Sequence, residues 1–404
     1  MNTSTFKTAL AVLSTAAMTS LFAAPSIKDI SVTTEGNLFT IAYELSDEDA
    51  IVTADIQTNG VSIGGANLDY MSGDVNAVVA AKPGRVIRWR ADLAWPMHEV
   101  AASDVSVRLK AYPLSSPPPY MVVNLDRLDT ESAVSYYESL DHLPQGGLSN
   151  PIYKTSRIVF RRIPSAGTTY RMGYDSKDEP SGVSWQKGNA TSPCYVTFKK
   201  DFYCAIYELT AAQAAYIMSS AQPSAGAAAI PYVNVSFNSV TSDDGILGKL
   251  RSRTGLSAFN LPTSAQWEFA ARAGERANAH NGFWISGAGD YAQLKAIAWY
   301  TKNANSAKHE VGLLAKNNFG LYDTQGNVQE MCLDQKPPSG WSDRTGQSFT
   351  DPKGYEGTDA THIVVRGSHI WAGSDYLLVW AIVDNVAKTG SNDFTGCRLV
   401  FNID

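Results

Sequence analysis

Residues 318–331 read NFGLYDTQGNVQEM and join a short strand signal to a tight loop that is rich in oxygen ligands. Gly320 and Gly326 offer the backbone freedom that a turn with positive φ requires. Asp323 and Glu330 bracket the loop, with backbone carbonyls between them. Such a pair suits a hard cation that takes about six to eight oxygens at about 2.3–2.6 Å. The alternative from spacing alone is a loop whose acids cap backbone amides.

This stretch resembles the core signature of the formylglycine-generating enzymes, or sulfatase-modifying factors. Further stretches match the family in the expected order: LPTSAQWEFAARAG at 261–274, RGS at 366–368 and GCRL at 396–399. The resemblance covers residues 153–404. It implies an α+β, loop-rich domain with a modified C-type-lectin-like fold, in which two helices pack on irregular antiparallel sheet. A content of 31 glycines and nine tryptophans agrees with such a domain.

The resemblance also implies a metal site. In the family, calcium is held by the side chain after Leu-Tyr, by two carbonyls and by the Glu of the Gly-Asn-x-x-Glu stretch. Residue by residue, these ligands correspond to the Asp323 side chain, the carbonyls of Gly326 and Val328, and the Glu330 side chain. Calcium in a structural role is therefore the expected cofactor.

The family's oxidase chemistry depends on two cysteines a few residues apart, just after the Arg-Gly-Ser-type strand, where soft thiolates hold Cu(I). Residues 366–380 contain no cysteine, and Cys332 and Cys397 do not have the required spacing. Iron-dependent relatives use His-x3-His-x-Glu, which none of the six histidines matches. Copper is therefore not expected and no catalytic residue is assigned. A divergent formylglycine-generating oxidase, or another metal-dependent oxygenase acting on protein cysteine, is the alternative.

Four cysteines lie in the part of the chain that resembles the family, and export would permit disulfides. Cys194 and Cys204 flank a predicted hairpin turn at residues 199–201 with the same face parity. The first pairing expected is therefore Cys194 with Cys204, which leaves Cys332 with Cys397. Buried free thiols are the alternative.

The chain departs most from the family at residues 368–395, where aromatic and aliphatic side chains replace polar ones. In a lectin-like fold this stretch lines the ligand-facing surface. His369, Trp371, Asp375 and Tyr376 are the candidate ligand-binding residues, because rigid aromatic side chains give large contact area. The surface resembles that of variable proteins diversified by retroelements.

The alternative for this stretch is a strand. Leu378, Trp380 and Ile382 have period-two spacing, which predicts that they alternate into the core. The opposite side of that strand, with Leu377, Val379 and Ala381, would then be exposed.

The N-terminal third has a different organisation. Residues 1–24 are predicted to be a secretory signal peptide, with Lys7 followed by an apolar run and small residues near Ala23. Residues 25–125 are predicted to form a β-sandwich of immunoglobulin or fibronectin type. The strand signals lie at residues 38–43, 51–56, 85–90, 105–111 and 120–125. Residues 126–152, with their Pro and Gly signals, are predicted to be a linker.

The amino-acid composition limits the classes of partner that this chain is expected to bind. The formal net charge is −6 and the sequence pI about 5.6, which argues against nucleic acid as a partner. No apolar run reaches the length of a transmembrane helix. The sequence thus favours a secreted, periplasmic or cell-surface protein, without catalytic activity, that binds an extracellular ligand or protein partner. A cell-surface structural or adhesion component that self-assembles through the N-terminal domain is a further alternative.

Overall fold

A computed structural model of the chain describes residues 23–65, 69–94, 96–97, 100–127, 132–175, 192–276, 279, 291–338, 343–354, 357 and 359–403. Most of the predicted signal peptide, residues 1–22, lies outside the described residues. The helices are α1 Ala91–Ala94, α2 Ile152–Thr155, α3 Ala211–Met218, α4 Phe237–Thr241, α5 Ile246–Thr254, α6 Ser264–Arg272 and α7 Tyr291–Ile297. Within the described ranges, no helix is both long and apolar enough to cross a membrane.

Two sheets fill the N-terminal part. The strands of the first sheet are, in spatial order, β1 Ser26–Glu35, β2 Leu38–Ser46, β7 Lys82–Arg90 and β5 Met71–Gly73. The strands of the second are β4 Val61–Ser62, β3 Ala50–Thr58 and β6 Ala77–Val79, with β8 Val105–Pro113 also paired to β3. All these pairs are antiparallel.

Alternation of buried and exposed positions organises this part. Every second residue of β2 is buried, as period-two patterning predicts for a sheet with one face on a core. Phe39 on β2 and Trp89 on β7 are fully buried, with ring centroids 5.1 Å apart. Strands cover the predicted signals at 38–43, 51–56, 85–90 and 105–111. The immunoglobulin or fibronectin type stays a prediction.

A six-stranded antiparallel sheet forms the centre of the C-terminal part. Its strands are, in spatial order, β10 Val134–Tyr137, β9 Tyr120–Asn124, β11 Arg157–Ile163, β14 Phe202–Ala205, β21 Val400–Asn402 and β15 Phe259–Asn260. Successive residues of β9 enter different cores, since Met121 and Val123 join one cluster and Val122 joins another. The sheet is therefore buried on both faces.

Two smaller sheets complete the C-terminal part. One contains β12 Thr169–Met172, β13 Cys194–Thr197 and β17 Ser348–Thr350. The other contains, in spatial order, β19 Val383–Ala387, β18 His362–Arg366, β16 Gln329–Gln335 and β20 Thr395–Gly396. The sheets are short and irregular and the helices few, which agrees with the fold that the resemblance implies.

The prediction that residues 120–125 form a strand of the N-terminal sandwich is wrong. β9 pairs with β11 along Tyr120–Asn124 and with β10 on its other side, so it belongs to the six-stranded sheet. Residues 126–152 are likewise not a simple linker, because they contain β10 and two short 3-10 turns. The physical reason is that alternation reveals the period of a strand but not its neighbour.

This segment also connects the two parts of the molecule. The Tyr136 amide donates to the Asn76 carbonyl at 2.9 Å. Glu138 accepts a hydrogen bond from Thr53 at 2.7 Å and pairs with Arg108 at 3.1 Å. Contacts from residues 134–142 thus anchor the N-terminal sheets to the C-terminal part.

The helix starts follow the sequence closely. Thr210 caps α3 and Thr263 caps α6, and in each case the Gln three residues later completes a capping box. Trp267 and Ala271 of α6 are buried. The capping pattern therefore defined these two helix starts correctly.

The expected disulfides do not form. All four cysteines are free and buried. Cys194 lies on β13 and Cys204 on β14, which belong to different sheets and so do not form the predicted hairpin. Cys332 and Cys397 pack into different core clusters. The pairings Cys194–Cys204 and Cys332–Cys397 are therefore wrong, because equal parity places two residues on like faces without placing them together.

Candidate functional site

The loop of residues 323–330 is held in an unusual backbone conformation. Asp323 and Asn327 have positive φ values of 53° and 56°, and Gly326 has a φ of 81°. The loop forms an isolated bridge between Gly326 and Trp299, and the Asn327 amide donates to the Trp299 carbonyl at 2.9 Å. The positive φ predicted for Gly320 and Gly326 is confirmed.

Backbone bonds from this loop support the segment after β18. The Gly326 amide donates to the Gly367 carbonyl at 2.7 Å, and the Ile370 amide donates to the Asn327 carbonyl at 3.1 Å. The Gln325 side chain donates to the Leu377 carbonyl. The loop thus fixes the path of residues 367–377, which include most of the predicted ligand-binding residues.

Gly326 is needed for a close approach as well as for its φ. A Cβ atom there would lie 2.3 Å from the Trp299 carbonyl oxygen, whereas a Cβ on Gly320, with a φ of 85°, would meet nothing within 4 Å. We expect Gly320→Ala to lower the free energy of unfolding by about 1 kcal/mol. Gly326→Ala should cost about 1–3 kcal/mol more, because overpacking adds to the backbone strain. Urea unfolding of both variants measures the difference, and equal losses would contradict the close approach.

Three carboxylates and one guanidinium are buried beside the loop. Glu330 and Arg398 form an ion pair at 2.7 Å with almost no exposure of either side chain. Glu330 also accepts a hydrogen bond from the Trp267 indole at 2.6 Å. Glu208 accepts from the Val328 amide and the Asn327 side chain. Burial first, and then the charge of Asp323, raises the pKa of Glu208 well above its usual value.

Asp323 is the carboxylate with spare capacity. One of its oxygens accepts from the Gly312 amide at 2.7 Å. The other is buried and has no hydrogen-bond partner among the described residues, as is also true of the Thr324 hydroxyl. Burial raises the pKa of Asp323 to about 6. Leaving such an oxygen unpaired is costly, so Asp323 fits a cation or a proton.

The four implied calcium ligands fit only in part. Asp323 has a free oxygen, but both Glu330 oxygens accept hydrogen bonds from Arg398, and one also accepts from Trp267. Among the described residues, no three acidic, histidine or cysteine side chains converge as a metal-binding group. Arg398 therefore supplies the positive charge at the Glu330 side of the loop.

A groove of about 530 Å³ lies beside the C-terminal sheet formed by β19, β18, β16 and β20. His369, Trp371 and Tyr376 all line it, and their role in ligand binding stays a prediction. Phe394 lines it too, and the sequence did not single that residue out. Its only signal was its position directly before the Thr395–Cys397 stretch.

The rings in the groove form a packed cluster. The His369 and Phe394 centroids are 4.4 Å apart, and the Trp371 ring meets the Phe394 ring edge-on at 5.6 Å. The His369 Nδ1 atom accepts from the Trp371 amide at 3.3 Å. Burial lowers the pKa of His369, which favours the neutral ring. Because Nδ1 accepts a hydrogen bond, the neutral ring carries its proton on Nε2. Trp371 remains 43% exposed and Tyr376 58% exposed, which leaves apolar area open to a ligand.

Two expectations for this segment differ from the structure. Asp375 is exposed on a 3-10 turn and accepts a hydrogen bond from Ser374, but it does not line the groove. Residues 377–380 are all buried and irregular rather than an alternating strand. Trp380 packs on Tyr174 with centroids 5.2 Å apart and on the Arg272 guanidinium, so a core covers the segment from more than one side.

The four thiols lie away from the groove lining. Each is at most 2% exposed. Burial raises the pKa of Cys204 and of Cys397 to about 12, and it also raises the pKa values of Cys194 and Cys332. The thiols are therefore protonated at neutral pH and are poor nucleophiles in this fold.

A family model confirms the resemblance that the sequence motifs indicated. The sulfatase-modifying factor enzyme 1-like domain matches residues 166–403, which is more than half of the chain. The chain belongs to this family. The match begins after β11 and ends at the last strand, so the sulfatase-modifying factor domain contains both the loop at 323–330 and the groove.

Individual relatives match shorter stretches of this chain. The chaperone protein LppX of Paenibacillus barcinonensis is 31% identical over 108 residues, which cover 22% of this chain and 36% of that protein. The formylglycine-generating enzyme of Streptomyces coelicolor is 28% identical over 148 residues, which cover 35% of this chain and 42% of the enzyme. The chain thus spans about two fifths of these curated relatives. Treponema denticola variable protein 1 is similar in structure, with a TM-score of 0.49 and 22% identity, covering 61% of this chain and 95% of that one.

Proposed function

We propose that this chain is an exported, non-catalytic binding protein. It would use the groove beside the sheet of β19, β18, β16 and β20 to hold an extracellular ligand or partner. The observation that carries the proposal is the convergence of His369, Trp371 and Tyr376 on one groove together with Phe394. Aromatic anchors of this kind supply large contact area at low cost in side-chain entropy. Export is supported by the signal-like sequence of residues 1–24.

The support for a fixed recognition surface comes from the loop. The Gly326–Gly367 and Ile370–Asn327 bonds hold the groove backbone before any ligand arrives. A preorganised surface loses less entropy on binding than a mobile one. The exposed parts of Trp371 and Tyr376 would therefore act as ready-made contacts.

The proposal of a non-catalytic role rests on thiol chemistry. The sequence has no cysteine between residues 366 and 380, and all four thiols are buried with raised pKa values. A Cu(I) titration and an aldehyde assay on a cysteine-containing sulfatase peptide test this point. We expect neither tight copper binding nor aldehyde; aldehyde formation would establish the oxidase alternative.

The groove is tested with arrays of immobilised synthetic glycans and peptides. We expect the wild-type chain to bind at least one probe, and the triple variant His369→Ala, Trp371→Ala, Tyr376→Ala to bind it at least about 30-fold more weakly, since the loss of a single anchor worth about 2 kcal/mol already has that effect. The control variant replaces Tyr70 and Tyr195, which are 47% and 44% exposed outside the groove. Unchanged binding by the triple variant, or an equal loss in the control, would reject the groove.

We also propose that calcium stabilises the scaffold through Asp323. The free buried oxygen of Asp323 and the excess of carboxylates over Arg398 support this assignment. At a calcium concentration of about 100 times its dissociation constant, stability should rise by about 2.7 kcal/mol relative to EGTA. Asp323→Asn should remove that increase, whereas Asp375→Asn on the exposed turn should keep it. Thermal unfolding measures both, and an identical melting temperature with calcium and with EGTA would count against a calcium site.

A further inference from the structure

A second groove, of about 480 Å³, shares no lining residue with the first. It lies where the turn between β13 and β14 approaches the start of α6 and the segment after β17. Buried apolar side chains, among them Phe202 and Leu261, form part of its lining. Lys199, Lys200 and Lys353 also line it, and all three are exposed. The groove therefore combines an apolar surface with three cations in a protein of net negative charge.

Each of the two acidic groups that line this groove already accepts a backbone hydrogen bond through one of its oxygens. Asp201 accepts hydrogen bonds from the Ser165 and Ala166 amides at 2.9 and 2.8 Å, and its other oxygen lies 3.7 Å from Arg162. Asp351 accepts from the Lys199 amide at 3.0 Å. In the described part of the chain, none of the three lysine ammonium groups forms an ion pair with these or other carboxylates. The positive charges are thus available to a ligand.

Two side-chain amides add donors without adding acceptors. The Gln266 amide nitrogen donates to the Asn402 side-chain oxygen at 2.9 Å, while the Gln266 oxygen accepts from the Thr263 amide. The Asn260 side-chain oxygen accepts from the Leu261 amide. This network orients the amide nitrogens of Asn260 and Asn402, which both line the groove, as donors. The groove therefore offers two oriented amide donors beside its three lysines.

We propose that this second groove binds an acidic saccharide, a sugar chain that carries carboxylate or sulfate groups. Charge-assisted hydrogen bonds from the three lysines would hold the anionic groups. Ring and hydroxyl oxygens would accept from Asn260 and Asn402, and the C–H faces of the sugar rings would pack on the apolar lining. An acidic peptide fits less well, because its backbone amides need acceptors, and the side-chain oxygens of Asn260 and Asn402 and one carboxylate oxygen each of Asp201 and Asp351 already accept hydrogen bonds.

Calorimetric titration of the full chain tests the proposal with tetragalacturonate, a heparin-derived tetrasaccharide, maltotetraose and a tetraglutamate peptide. We expect at least one acidic tetrasaccharide to bind, with affinity that falls as salt rises, and we expect maltotetraose and tetraglutamate not to bind. Which acidic probe binds distinguishes carboxylate from sulfate. The triple variant Lys199→Gln, Lys200→Gln, Lys353→Gln should bind at least about tenfold more weakly, the value of one lost charge-assisted bond.

The control variant Lys28→Gln, Lys82→Gln, Lys249→Gln makes the same change in net charge at exposed positions outside the groove. It should retain binding, as should Trp371→Ala, which alters the first groove alone. Thermal unfolding confirms that each variant is folded. The proposal is overturned if neither acidic saccharide binds, if tetraglutamate binds as tightly, or if the control loses as much affinity as the groove variant.

Discussion

Replacing Arg398 by Met is expected to lower the free energy of unfolding by about 3–5 kcal/mol, the cost of leaving a buried charge without its partner. Arg398 makes hydrogen bonds to both Glu330 oxygens and to the carbonyls of Ala205 and Tyr322. Burial disfavours its charge, but Glu330 more than compensates and raises the pKa of Arg398. The variant would leave Glu330 buried beside two other carboxylates.

Urea unfolding of Arg398→Met and of Arg88→Met measures this effect. Arg88 is exposed on β7, so its replacement should change stability by less than about 0.5 kcal/mol. The double variant Arg398→Met, Glu330→Leu should recover part of the loss, because it removes the uncompensated charge. The Trp267 indole would still lose its bond to Glu330, and the carbonyls of Ala205 and Tyr322 would still lose their bonds to Arg398. A loss no larger than that of Arg88→Met would show that the pair is not a stabilising contact.

Glu268→Gln is expected to cost about 3–4 kcal/mol by the same mechanism with the charges reversed. Glu268 is fully buried and pairs with Arg366 at 3.0 Å and with Arg272 at 2.8 Å. It also accepts from the Gly173 amide at 2.7 Å. The neutral amide would keep the shape of the side chain but would remove the Glu268 carboxylate from its ion pairs with two buried guanidinium groups.

This variant should also weaken binding in the first groove. Arg366 lines that groove and donates to the Val379 carbonyl at 3.2 Å, so its position helps to fix the segment of residues 367–380. The matched control is Glu275→Gln, which lies just after α6 and is less buried. Calorimetry of unfolding, together with binding of a probe that the wild type recognises, measures both effects. Stability within about 1 kcal/mol of the control would contradict the role of Glu268.

The loop and the capped helices are the parts that the sequence predicted well. Gly320 and Gly326 have the positive φ that their positions in the loop suggested, and Thr210 and Thr263 cap their helices. These features depend on residues a few positions apart along the chain. Local chemistry therefore determined them, and local sequence was enough to find them.

Features that depend on distant neighbours were not predictable in the same way. The alternation within residues 120–124 fits either sheet, and β11 is the partner only because the chain returns beside it. Parity suggested a Cys194–Cys204 bridge, although the two strands lie in different sheets. Leu378, Trp380 and Ile382 have period-two spacing, yet contacts such as those of Trp380 with Tyr174 and Arg272 help to bury all of residues 377–380.

The first groove contains residues that local sequence could indicate and one that it could not. His369, Trp371 and Tyr376 could be chosen because they lie in the stretch of residues 368–395, where the sequence departs most from the family that it resembles. Phe394 could not, since nothing near it in sequence indicates that the chain brings its ring to 4.4 Å from that of His369.

The membership of β9 and β10 in the central sheet has a consequence for how this protein can be divided. A fragment that begins at residue 153 would lack two of the six strands and would expose the whole edge of β11 that normally pairs with β9. Exposed strand edges promote aggregation. Any recombinant fragment, or any natural exchange of the N-terminal module between genes, would therefore need its junction before Tyr120.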